Sequence, residues 1–362
     1  MRSMGVWGVC ASGLLALGVG TASAEEFQES VSFDAETLVV TNLVGRIELH
    51  GNSGNEFRVE VHVRGEDASR ELIQVEHDDG RRAVLDVVFP IRDEREYVYP
   101  ELGRSECSFS MREGDNREGG WLHRFLGSVG GDQIRVRGSG RGLEVWADIE
   151  VYVPDGGNLR VHHGAGDVVA SNVKGNLLLE SQAGTIEAEG ITGKFSGDTG
   201  SGHIVVRDVT GEAHCDTGSG RVEMTGVRGP IVYVDTGAGS VELRDIACEE
   251  LSVDTGSGSV RAQGISADSA NIDTGSGRVS IEFVHMGSGD FVVDTGSGGI
   301  DLVVPEDTSA DIIAETGSGH LDIDVAGAEI RHRERDEAAL RIGHGDAQIR
   351  LDAGSGSISI AN

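Results

Sequence analysis

Leu251-Ser252-Val253-Asp254-Thr255-Gly256-Ser257-Gly258-Ser259-Val260 is the stretch on which the fold turns. Its central phrase, Asp-Thr-Gly-Ser-Gly, also begins at Asp198, Asp216, Asp273 and Asp294. Variants begin at Asp235 (Asp-Thr-Gly-Ala-Gly), Glu315 (Glu-Thr-Gly-Ser-Gly) and Asp352 (Asp-Ala-Gly-Ser-Gly), and weaker ones end at Gly166 and Gly184. The last glycine of the phrase recurs from Gly166 through Gly184, Gly202, Gly220, Gly239, Gly258, Gly277, Gly298 and Gly319, at a spacing of 18 to 21 residues. Gly356 follows 37 residues later, which reads as one repeat plus an insertion.

Apolar residues keep the same register. Two positions after these glycines stand Val168, Ile186, Ile204, Val222, Val241, Val260, Val279, Ile300, Leu321 and Ile358. Immediately before the acidic residue come Cys215, Val234, Val253, Ile272, Val293, Ala314 and Leu351, and two further back Val232, Leu251, Phe291, Ile312 and Ile349. Alternation of period two is the pattern of strands with one buried face. The apolar segments are short, rich in Val and Ile and bounded by glycine, which argues against helices. Repeats this close also leave no room for a crossover helix between parallel strands. The expectation is an all-β, single-stranded parallel β-solenoid, a right-handed β-helix in which each repeat is one coil. With strands about 4.8 Å apart, roughly ten coils make a rod on the order of 45 to 50 Å long.

Composition agrees with small coils and sets limits on partners. The 362 residues include 55 Gly but only 5 Pro, and 4% are aromatic, so the interior must be filled by small aliphatics. Asp and Glu number 61 against 30 Lys and Arg, a formal charge of -31 that repels phosphate backbones and anionic lipid, so no nucleic-acid partner is expected. Lysine is confined to Lys174 and Lys194, a balance that also resembles salt-adapted proteins.

Residues 1–24 read as a signal peptide: Arg2, an apolar run from Val6 to Val19, and Ala22-Ser23-Ala24 before Glu25. The mature chain is then exported to the periplasm, the cell surface or beyond, and no later run approaches the roughly 20 apolar residues of a membrane span. With Cys10 removed, Cys107, Cys215 and Cys248 remain, an odd number that implies no disulfide framework. Residues 25–154 are read as a less regular N-terminal β cap and 155–362 as the solenoid repeat domain. The cap carries a Gly-rich charged insertion at about 92–142, expected as a surface loop, and its Trp121 and Phe125 are candidates for a contact loop. A second insertion at about 331–340 is charged and is expected as a short helix on the side of the rod.

On these residues the chain resembles a bacterial adhesin-like family of β-strand-repeat proteins of unknown function. The likeness lies in Asn42-Leu43-Val44-Gly45-Arg46-Ile47, in the strand Ile149-Glu150-Val151-Tyr152-Val153-Pro154, and in the train of Thr-Gly-Ser-Gly coils. It implies a solenoid fold and an envelope or surface location.

Asp-Thr-Gly-Ser also resembles the catalytic loop of aspartic proteases, but those need two carboxylates facing across a cleft, whereas copies one coil apart stand in a row. The glycines of the series are therefore read as a structural turn repeat, with the Asp side chain accepting turn N–H groups. Stacked carboxylates repel, so Asp198, Asp216, Asp235, Asp254, Asp273 and Asp294 are also weak candidates for Ca²⁺ between coils. His162, His163, His203, His214 and His320 are expected at exposed turns, and Cys215 as a small buried residue. No catalytic residue stands out and no other cofactor is implied. The function expected is that of an exported non-enzymatic adhesin-like or envelope-scaffold protein that binds protein or glycan. The alternatives are a carbohydrate-active β-helix enzyme, a polysaccharide lyase or hydrolase, and a periplasmic sensor scaffold.

Overall fold

A computed structural model describes residues 25–110 and 133–362. The leading segment 1–24 and the pair Trp121 and Phe125 lie outside the described residues.

Each regular coil supplies two strands. One ends in the acidic phrase and the next follows the glycine corner, as in β13 (Gly175–Ala183) and β14 (Ile186–Thr192), or β15 (Phe195–Thr199) and β16 (Ile204–Thr210). The first kind stacks on its own kind, in parallel: β17 (Ala213–Thr217) on β15, then β19 (Arg228–Thr236) on β17, with only Arg228 at the start of β19 pairing across to Thr210 of β16. In β20 (Val241–Thr255) and β21 (Val260–Thr274) the chain stays extended from one coil into the next. At the acidic corner the register has no offset, so Asp216 pairs with Asp198 and Asp235, and Val222 with Ile204 and Val241. Equivalent residues therefore form ladders. The aliphatic ladders predicted from the spacing are buried along the whole rod, with Leu321 at its end half-buried. β-branched side chains suit this stacking because each packs on its own counterpart across the pleat.

Chain order and stacking order differ at both ends. β2 (Thr37–Val44) and β3 (Ile47–Asn52) form a coil with later segments on either side. On one side lie β11 (Gly157–Ala165) and β12 (Val168–Ser171); on the other lie β6 (Arg82–Val88) and β10 (Trp146–Pro154). Antiparallel strands finish this end: β4 (Phe57–Arg64) on β10, β1 (Phe27–Phe33) on β4, and β5 (Gln74–Asp78) on β6. The segment expected as a cap thus continues the same two ladders as the coils.

At the other end the chain skips a level. β23 (Asp290–Thr295) and β24 (Ile300–Val303) are followed by β25 (Ala310–Thr316) and β26 (Leu321–Asp324), but these do not pair with one another. The last coil, β29 (Ala347–Ala353) and β30 (Ile358–Ala361), lies between them. The extra rise is made by residues 304–309 between β24 and β25, where the link between β14 and β15 is only residues 193–194.

Two expectations are corrected. Residues 331–340 are not helical: β27 (Glu329–Arg333) and β28 (Glu337–Ile342) form an antiparallel hairpin on β25. Ala338, Leu340 and Ile342 alternate into the core, and that period-two face outweighs the charged composition. Nor is 92–142 wholly a surface loop. β7 (Glu96–Val98), β8 (Glu106–Ser110) and β9 (Gln133–Arg137) form a small sheet that buries Tyr97, Tyr99, Ile134 and Val136 against the main core. Tyr97 packs edge-on to Phe89 with ring centroids 5.7 Å apart, and Tyr99 lies 5.8 Å from Trp146.

Candidate functional site

The residues singled out by the repeat meet in one place, the corner where the first strand of each coil hands over to the second. Asp198, Asp216, Asp235, Asp254, Asp273 and Asp294 pair in sequence across the stacked strands. The row runs on through Asp352 to Glu315 at one end and through Glu180 to His162 at the other. The aspartates alternate with buried neighbours and so stand on the outer face of the rod.

Their environment is repulsive. Asp198 is pushed up to about 6, first by desolvation against the rod wall and then by Asp216 and Glu180. Asp216, Asp254 and Asp294 are raised for the same two reasons, with a ladder carboxylate as the charged neighbour in each case. Tyr233 Oη donates to Asp235 Oδ2 at 3.2 Å. Among the described residues no group of three or more His, Cys, Asp or Glu side chains converges as a metal cage. Carboxylates in single file do not face one another across a cleft as a protease dyad does, and what they present is an evenly spaced line of negative charge.

The aspartates do not hold the turns, contrary to expectation; the threonines beside them do. Thr199, Thr217, Thr236, Thr255, Thr274 and Thr295 are fully buried at the corner. Thr217 Oγ1 donates to the carbonyl oxygen of Gly202 in the coil below at 3.0 Å and accepts the N–H of Gly220 in its own coil at 3.0 Å. Thr236, Thr255, Thr274, Thr295 and Thr316 repeat both bonds. Because threonine follows the outward Asp, alternation turns it inward, where its hydroxyl needs partners and the glycine corner supplies them. The invariance of Thr across the Asp-Thr-Gly-Ser-Gly copies was the available sign.

The structural glycines Gly202, Gly220, Gly239, Gly258, Gly277, Gly298, Gly319 and Gly356 are needed for close approach. A Cβ on Gly220 would fall 1.5 Å from the carbonyl oxygen of Gly202. Positive φ accompanies this corner at Gly45 (+137°), Gly166 (+126°) and Gly184 (+133°), and not in the Thr-Gly-Ser-Gly coils.

The inward polar row changes character near the start of the rod. Thr199 is followed by Ser181, His163 and Asn42. His163 is buried rather than at an exposed turn: Nδ1 lies 3.2 Å from the carbonyl oxygen of Asn42 and Nε2 2.9 Å from that of Gly45. Burial lowers its pKa to about 4. His162 is also buried, with Nδ1 2.7 Å from Glu180 Oε2, whereas His203 and His320 are exposed as expected and His214 is half-buried. Cys215 is buried in the aliphatic ladder as expected, and Cys107 and Cys248 are half-buried, all three as free thiols.

A rod of stacked coils with a uniform acidic corner defines the chain as a β-solenoid repeat protein. The Toastrack DUF4097 family matches residues 146–361, and the chain belongs to that family. The match begins at β10 and so covers the coils from there to the C-terminal end. No curated protein matches the chain. Among solved structures, a proposed cell adhesion protein from Clostridium sporogenes is similar at 10% identity over 93% of this chain and 99% of that one. Its TM-score of 0.17 is too low for the likeness to bear on fold or function. Among the described residues no helix is long and apolar enough to cross a membrane.

Proposed function

We propose that this chain is an exported, non-enzymatic binding rod, adhesin-like or scaffolding at the cell envelope, whose outer face engages a protein or glycan partner. One observation carries the reading. The carboxylate row keeps its register through Asp198, Asp216, Asp235, Asp254, Asp273 and Asp294, so the rod presents the same acidic group once per coil. A surface that repeats every coil suits a partner that is itself extended or repetitive, since many weak identical contacts add up along the rod. Export rests on the reading of residues 1–24. Trp121 and Phe125 are proposed as a second contact point, because aromatic side chains anchor interfaces and this chain has few.

The test is protease shaving of intact producing cells, followed by binding of the purified protein to extracted envelope glycans and proteins. Cleavage on intact cells together with capture that weakens when Asp235, Asp254 and Asp273 are changed to Asn supports the proposal. Retention of the protein inside the cell, or turnover of a polysaccharide by the purified chain, would overturn it.

A further inference from the structure

The final coil is held differently from every other. In the regular part of the rod each coil rests on the one made just before it. Coil β29 and β30 is instead wedged between two coils made earlier. On one face Gly354 N–H donates to Thr295 and Ile300 N–H to Ser357; on the other Gly317 N–H donates to Ala353 and Ile358 N–H to His320. Without residues 347–361 the strands on either side would stand about 10 Å apart, a slot the width of one coil.

The wedge also lacks the threonine latch of its neighbours. Its phrase reads Asp352-Ala353-Gly354-Ser355-Gly356, with alanine where the fully buried threonine stands in its neighbours. Gly356 approaches Gly298 as the other corner glycines approach theirs, but no hydroxyl at 353 can donate to that carbonyl. The latch from Thr316 to Gly356 belongs to the coil above.

The wedge is tied to the rod through a short hinge. Residues 343–346 carry the chain around the start of β25, since Ala310 pairs with Ile342 on one side and Ala347 on the other. Gly343 and Gly345 sit at positive φ, +59° and +77°. The turn is fixed mainly by Ser309, whose Oγ accepts the N–H groups of His344 at 2.9 Å and Asp346 at 3.4 Å. Straightening the hinge removes these local bonds and leaves every contact of the wedge itself reproducible by an identical segment.

We propose that the C-terminal coil is an exchangeable wedge: the slot between β23/β24 and β25/β26 accepts residues 347–361 of a second copy of this chain, and two rods become joined by reciprocal exchange at 343–346. Exchange of an identical element costs only what the hinge loses, and a short hinge favours it over self-insertion. The inference rests on topology and is independent of the proposed binding role.

The test uses the full chain with Cys10, Cys107, Cys215 and Cys248 changed to Ala and carrying Val292→Cys and Arg350→Cys, outward neighbours on β23 and β29, treated with a short bismaleimide. In a self-inserted rod the bridge forms within one chain; in an exchanged pair it joins two. Refolding at high concentration should give covalent dimers absent from either single-cysteine control. Deleting His344 and Gly345 should raise the dimer fraction about tenfold or more, and Ala353→Thr, whose added latch is made equally in both forms, should leave the equilibrium fraction unchanged while slowing exchange. Bridges confined to single chains in both the intact and the shortened hinge would overturn the proposal. Dimers in the single-cysteine controls would do so too, by showing surface association.

Discussion

Thr255 Oγ1 donates to the carbonyl oxygen of Gly239 at 3.0 Å, one coil below, while accepting the N–H of Gly258 at 3.0 Å in its own coil. One buried hydroxyl thus satisfies a corner N–H and ties two coils together. Replacing it with the isosteric Val leaves a buried donor and acceptor unpaired, at about 1 to 3 kcal/mol for each group. Thr255→Ser keeps both bonds and loses one methyl, about 1 kcal/mol. Thr255→Val is therefore expected to destabilise the rod clearly more than Thr255→Ser, measured by chemical denaturation and by amide exchange at Gly258. Equal losses would mean that the methyl, not the hydroxyl, is what the corner uses.

The carboxylate row works against the fold at neutral pH. Asp198 stands at about 6, above the ordinary 3.8. A raised carboxylate contributes stability that is present below its unfolded pKa and lost as pH rises through the folded value. Asp198→Asn should therefore be more stable than the native protein at pH 7.5, by about 1 kcal/mol once solvent screening of an exposed group is allowed for. The gap should close as pH falls to about 4. Thermal melts of both proteins across this range decide it; a variant less stable at pH 7.5 would show that Asp198 makes a favourable bond the repulsion conceals.

His163 acts with the opposite sign over part of the same range. Its folded pKa of about 4 lies below the ordinary 6.5 because the ring is fully buried. The unfolded chain takes up the proton first, so stability falls as pH drops from about 6.5 toward 4, by about 3 kcal/mol over the window. In His163→Gln that loss should be largely absent, whatever the variant's stability at pH 7.5. An unchanged slope in denaturant melts between pH 7 and pH 4 would remove His163 as the cause.

How much of this was legible in the sequence follows from what each feature depends on. The coils were legible because Val260 and its counterparts repeat a local alternation, and zero-offset stacking copies that pattern from coil to coil. The role of Thr255 was harder to see, since a hydroxyl inside an aliphatic ladder breaks the simple rule and only its partners explain it. The wedge was not legible: the 37-residue gap before Gly356 gave the extra length but not which coils it separates. Likewise the arginines and glutamates of 331–340 hid a strand whose inward face is just Ala338, Leu340 and Ile342. His163 was missed because burial at a turn depends on the neighbouring segment, here Asn42 to Gly45, far away in the chain.

The small sheet within 92–142 gives the last test. A true surface loop would tolerate deletion, but Tyr97 is fully buried, its ring lies against Phe89, and its hydroxyl donates to the Glu94 carbonyl oxygen at 3.1 Å. Val136, equally buried, sits on the central strand between β7 and β8. Tyr97→Ala removes a large buried ring and should cost about 3 to 5 kcal/mol, and Val136→Ala, which deletes two methyl groups, about 1 to 2. Both losses should appear as faster amide exchange in β7, β9 and β10, with β20 and β21 unaffected because coils contact only their neighbours. If both variants melt within about 0.5 kcal/mol of the native protein, the sheet is an appendage and the rod closes without it.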